Sequence, residues 1–180
     1  MLRTTRCQLT LGIIALSVLG VLPVSAQSIN EDLKITASDA AAEDFFGSSV
    51  AISGTTAIVG ADRDDDAGSE SGSAYIFDTT TGQEFFKLTA SDAEAGDLFG
   101  FSVAISGTTA IVGAVFDRNA GSFSGSAYIF DTTTGQQLFK LTASDAAPFD
   151  RFGFSVAISG TTAIVGIRDF GGAPVTGSAY

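Results

Sequence analysis

The sequence predicts an all-β fold of repeated four-stranded antiparallel sheets, the blades of a β-propeller. Three observations predict it. Lys34-Ile35-Thr36-Ala37-Ser38-Asp39-Ala40 returns at 87–93 and again at 140–146 with Leu in place of Ile35, a spacing of 53 residues, and a fixed period of that length marks a repeat architecture. Each period holds four short runs rich in β-branched and aromatic residues, separated by Gly, Ser, Thr and Asp clusters, which is the pattern of a β-meander. After residue 26 no stretch carries a 3.6-residue apolar period. A β-helix would need a much shorter repeat than this.

One repeat shows the elements in order. Residues 48–53 (Ser-Ser-Val-Ala-Ile-Ser) form a first strand, and Gly54-Thr55 turns the chain. Residues 56–60 form a second strand, and 61–71 a polar loop. Residues 72–78 (Gly-Ser-Ala-Tyr-Ile-Phe-Asp) form a third, Thr79 to Gly82 a turn, and 83–89 a fourth. Val50 and Ile52 alternate with Ala51, and Ile58 with Ala57 and Val59. Both faces of the sheet are therefore apolar, as a blade covered by a neighbour on each side requires. Small residues on one side let the sheets approach.

The first 26 residues read as a secretory signal: Arg3 and Arg6, an apolar run from Leu9 to Leu22, then Pro23-Val24-Ser25-Ala26, with cleavage expected before Gln27. Cys7 and Met1 leave with it, and the chain has no His, so residues 27–180 offer no disulfide. Loss of Arg3 and Arg6 leaves seven basic residues against twenty acidic ones and moves the net charge from −11 to −13. That balance argues against nucleic acid and anionic membranes as partners. No second apolar run is long enough to insert in a membrane, so a secreted, extracellular or cell-surface location is expected.

The residues Phe46-Gly47, Ser49-Val50-Ala51-Ile52, Ile58-Val59-Gly60-Ala61 and Gly72-Ser73-Ala74-Tyr75-Ile76-Phe77 resemble the FG-GAP repeat, the blade unit of the integrin α-chain propeller and of many secreted bacterial proteins. Phe99-Gly100 with Gly113-Ala114, and Phe152-Gly153 with Gly166-Ile167, repeat the match. The resemblance implies a propeller used for binding or adhesion. It covers residues 33–180, in repeats of about 33–85, 86–138 and 139–180. The calcium loop of the integrin-type repeat is missing: its place holds only Ser53-Gly54-Thr55-Thr56 and the equivalent tetrapeptides, too few oxygens for an ion that wants six to eight. The Asp-Thr-Thr-Thr-Gly-Gln turns also resemble quinoprotein blades, but the docking Trp of that family is replaced by Phe85-Phe86 and Leu138-Phe139, so no quinone is implied.

The candidate metal ligands are Asp62, Asp64, Asp66 and Glu70, in an acidic loop that also contains Asp65 and Gly68. Alternating carboxylates can converge on a hard cation, and Ca2+ is the candidate. The competing reading is a solvated acidic turn. The second copy keeps Asp117 and Asn119, the third Asp169. Asp44, Asp97 and Asp150, with Asp39, Asp92 and Asp145, read as turn caps or as bonds to backbone N–H groups. Asp78 and Asp131 read as turn initiators. Lys34, Lys87 and Lys140 read as protection of an outer strand edge. Residues 27–180 contain neither a His to activate a serine nor a Cys nucleophile.

Three blades fall short of the roughly four to eight that close a propeller. The sequence opens on fourth-strand residues, Leu33 to Ala37, and stops at Tyr180 within a third strand, so a segment of a larger propeller is expected, with open blade edges available for self-association. The expected function is a non-catalytic binding or adhesion scaffold for an extracellular protein or glycan. The alternative is a fragment of a carboxylate-dependent propeller hydrolase.

Overall fold

The computed structural model describes residues 33–169 and 177–180; the expected signal segment lies outside them. Among the described residues there are strands and turns and no helix. The first blade comprises β1 (Ser49–Ser53), β2 (Thr56–Ala61), β3 (Ser73–Asp78) and β4 (Glu84–Leu88). The second comprises β5 (Phe99–Ser106), β6 (Thr109–Ala114), β7 (Ser126–Asp131) and β8 (Gln137–Leu141). The third has three strands, β9 (Ser155–Ser159), β10 (Thr162–Arg168) and β11 (Gly177–Ala179). Each sheet is an antiparallel meander in chain order. Residues 33–37, expected as a strand, form none. β4 and β8 form by pairing with the third strand of their own blade, as in Ala74↔Leu88 and Ala127↔Leu141, and among the described residues no such strand pairs with 33–37.

The pleat assigns the faces. With Ala51 opposite Ile58 and Ile58 opposite Ile76, these side chains share one face of the first blade, and Val50, Val59 and Tyr75 share the other. The first face packs on the second blade: Ile58, Ile76 and Leu88 join Val103, Ile105, Ala110 and Val112 in one buried cluster. The pattern repeats one blade on, where Ile111 and Ile129 meet Val156, Ile158 and Val165.

The Phe-Gly pairs lock these seams. Phe99 is fully buried and packs edge-on to Tyr128 and Phe130 at 5.5 and 5.8 Å. Its N–H donates to the carbonyl of Ser71 in the preceding blade at 2.9 Å, and Phe152 does the same to Ser124 at 2.7 Å. The glycine that follows lets the backbones touch. A Cβ on Gly60 would lie 2.1 Å from the Gly100 oxygen, and one on Gly113 2.1 Å from that of Gly153. Just before each pair, Leu98 and Arg151 sit at φ 54° and 55° and donate to the carbonyls of Glu70 and Phe123, both themselves at φ 53°. Non-glycine residues hold such angles only where their surroundings fix them, and here the seam does.

Candidate functional site

Tyr75 and Lys87 are cross-strand partners on β3 and β4, so their side chains leave the sheet on the same face. The β2–β3 loop brings Asp64 and Asp66 over them, and the turn before β1 brings Asp39. Lys87 Nζ lies 2.6 Å from Asp39 and 2.9 Å from Asp64, and also pairs with Asp66. The Tyr75 hydroxyl is within 2.9 Å of Asp39 and 2.8 Å of Asp64. The second blade builds the same cluster 53 residues on. Lys140 lies 2.6 Å from Asp92 and 2.7 Å from Asp117, and Tyr128 reaches both. Asn119 replaces Asp66 and donates to Asp92 at 2.8 Å. In the third blade the Tyr180 hydroxyl is bonded to Asp145.

Burial opposes the charge of Asp39, Asp64 and Asp92, but the ammonium and tyrosine hydrogen bonds outweigh it and hold all three below the usual carboxylate range. Burial likewise works against Lys87 and Lys140, and their carboxylate partners more than offset it, raising both. Tyr75 and Tyr128 are pushed up by burial and by the adjacent aspartates. Each cluster thus sets one ammonium against an excess of carboxylates, and the shifts of Asp39, Asp64, Asp92, Lys87 and Lys140 away from neutrality make those groups unsuited to proton transfer near pH 7.

The fate of the sequence candidates follows. Asp64 and Asp66 converge, and with Asp39 they place three carboxylate oxygens within 4.8 Å of one another. The ion at their focus is the Lys87 ammonium. Asp62 and Glu70 are not part of this group. Asp62 is buried, with one oxygen unpartnered among the described residues, and Glu70 pairs with Arg63 at 2.9 Å. Lys87 and Lys140, expected as edge protection, instead turn inward onto carboxylates, because β4 and β8 pair in register with the tyrosine strands. Asp39 and Asp92 accept from tyrosine and lysine rather than capping a turn. Asp44, Asp97 and Asp150 do cap, accepting from Ala41, Glu94 and Ala147 N–H groups at 2.6, 2.8 and 2.6 Å. Asp78 and Asp131 do initiate their turns, each accepting from the backbone two residues on.

Asp97 is the one carboxylate among the described residues shown pushed upward, to about 6, first by burial and then by the charges of Asp117 and Glu94. It is 2% exposed, so no substrate reaches it. Its raised value favours folding below the unfolded pKa, an advantage lost as pH rises through about 6. Asp39, Asp64 and Asp92 act oppositely: their contribution is present above an ordinary value of 3.8 and is lost as pH falls through their lowered values. The melting temperature should therefore rise as pH falls from about 7 towards 5, then drop below about 4. Asp97→Asn should flatten the rise and leave the acid drop in place, as melts across that pH series would show.

A second arrangement lies at the same end of the blades, between the β6–β7 loop and the connection from β8 to β9. Phe123 packs on Phe116 and Phe149 at 5.3 and 5.7 Å. Arg118 stands over Phe123 at 4.7 Å and Arg151 over Phe116 at 4.8 Å. Phe149 and Arg118 are exposed. These positions differ between copies: the first-repeat residues at the places of Phe116, Arg118 and Phe123 are Arg63, Asp65 and Glu70.

A family model described as FG-GAP repeat matches residues 29–77, 83–130 and 136–180. No curated protein matches the sequence. Among solved structures, the chain is similar to Kuenenia stuttgartiensis hydrazine synthase, at 19% identity and a TM-score of 0.49, over 73% of this chain and 32% of that one. The chain thus spans less than a third of that neighbour's length.

Proposed function

The chain belongs to the FG-GAP repeat family, and from that premise we propose that it is a secreted, non-catalytic scaffold that binds an extracellular protein or glycan. The observation that supports this most is the division of labour between repeated and divergent residues. Carboxylates common to the copies are engaged in lysine–tyrosine clusters or turn caps. Divergent positions on the loop end carry the Phe116–Phe123–Phe149 group with Arg118 and Arg151 stacked on it. Aromatic rings and arginine are the residues that dominate binding energy at interfaces, and arginine held against a ring loses little freedom on binding.

Calcium would enter the first-blade cluster only by displacing the Lys87 ammonium, so the scaffold is proposed to work without it. The binding surface is tested with the full chain, applied to extracellular material of the producing cells. Arg118→Ala with Phe123→Ala should reduce retention at least tenfold, about 1.4 kcal/mol or more, with the melt little changed. Equal retention by the double variant would reject this surface.

A further inference from the structure

Each of the four arginines among the described residues stands over a phenylalanine ring at the loop end of the blades. Arg63 lies 4.8 Å from the centre of Phe45, Arg118 4.7 Å from Phe123, Arg151 4.8 Å from Phe116 and Arg168 5.0 Å from Phe154. In the first blade such a stack carries an anion. Arg63 Nη1 donates to Glu70 Oε1 at 2.9 Å, and both side chains border solvent. The guanidinium laid on a ring takes its carboxylate from its own loop.

The second blade keeps a stack and drops the carboxylate. Phe123 stands at the place of Glu70, and Arg118 at that of Asp65. Arg118 is exposed, and its Nη1 donates to the Ala95 carbonyl at 3.3 Å. Among the described residues no carboxylate pairs with it. Asp97, which feels its charge, is 2% exposed and accepts from the Glu94 N–H at 2.8 Å. Lys87 and Lys140 offer an anion no alternative, since each is already held by two or more carboxylates.

Taking the Arg118–Phe123 binding surface proposed above as given, we infer that its partner is an acidic protein segment, a carboxylate flanked by apolar side chains. The carboxylate pairs with Arg118, and the apolar groups cover Phe123 and Phe149. A guanidinium has N–H donors and no acceptor, so it suits an acceptor-only carboxylate better than a sugar hydroxyl, which also donates. Carboxylates accept its fork of donors as a pair, and the stack on Phe123 holds that fork in place before binding. Three rings in contact, Phe116, Phe123 and Phe149, call for an apolar counterpart that a peptide supplies and a chain of uronic acids lacks. Arg151 on Phe116 adds positive charge over the neighbouring ring. The net charge of −11 opposes an anion at a distance, but salt screens it beyond about 8 Å, and at contact the guanidinium decides.

Fluorescence anisotropy of the full chain with short labelled peptides tests this. A peptide of alternating Glu and Leu should bind about tenfold or more tightly than one of alternating Gln and Leu, as a charge-assisted hydrogen bond provides. Arg118→Gln, at an exposed position and with an unchanged melt, should remove that difference. Equal binding of the two peptides by the parent overturns the proposal, as does absence of saturable binding of the Glu peptide. So does a preference that survives in Arg118→Gln. Polygalacturonate competing better than the Glu peptide would replace the acidic protein by an acidic glycan. All of these leave the retention test separate: retention that still depends on Arg118 and Phe123 keeps the surface and rejects only its acidic partner, whereas retention independent of both rejects the surface itself.

Discussion

Lys140→Met is expected to destabilise the fold by about 3–5 kcal/mol, the usual cost of removing one partner from a buried ion pair. The reason lies in what remains. Asp117 is fully buried, and its other close contacts are the Tyr128 hydroxyl at 2.7 Å and the Asn119 backbone N–H at 2.8 Å. Neither carries a positive charge, and Asp92 nearby adds a second negative one. The companion change in the first blade should cost less. Asp66 is exposed and Asp39 borders solvent, so water can take over part of what Lys87 does. Urea unfolding of both variants measures the difference. Adding Asp117→Leu to Lys140→Met should recover much of the loss, since an apolar residue no longer needs the ammonium. Additivity of the two changes would mean that they do not interact.

Gly113→Ala is expected to cost about 3 kcal/mol, at the upper end of what overpacking does. The added carbon would lie 2.1 Å from the Gly153 oxygen and 2.5 Å from Ser102 Oγ. The first of these atoms is backbone, and it moves only if the second and third blades separate. Gly107→Ala is the contrasting control. Its Cβ would meet nothing within 4 Å, but its φ is +57°, so the loss should be the left-handed penalty alone, about 1–2 kcal/mol. If both cost the same, the glycine at 113 serves only its own strand and not the seam.

Much of the fold was legible in the sequence. Its four runs per repeat correspond to β1–β4 with ends displaced by about a residue, because strand pattern and turn chemistry are local signals. Of the carboxylates gathered on Lys87, the sequence pointed to two. Asp64 and Asp66 are neighbours in sequence and in space. Asp39, Tyr75 and Lys87 lie 25 residues before, 11 after and 23 after Asp64, and no local pattern says that they meet. A signal was present all the same: Asp92, Asp117, Tyr128 and Lys140 recur at the common spacing, and residues that recur together in a repeat are candidates for a shared contact. Lys87 was misread because its strand does lie at the blade's edge, while its side chain follows the pairing with Tyr75. The Phe-Gly pairs were visible as a motif, but their work, bringing two backbones into contact, depends on a neighbouring blade that no single repeat encodes.

The central claim is that lysine is the resident cation of the repeated carboxylate clusters. The most direct test is a thermal melt of the full chain, and of Lys87→Ala, in millimolar calcium and in chelator. The parent should melt at the same temperature in both. Lys87→Ala should melt lower in chelator and recover in calcium, because Asp39, Asp64 and Asp66 then face one another without an ammonium. Calcium at about 100 times its dissociation constant would restore on the order of 2.7 kcal/mol, several degrees for a domain of this size. A calcium-dependent rise in the parent itself, abolished by Asp64→Ala, would contradict the account and make the first-blade loop a metal site.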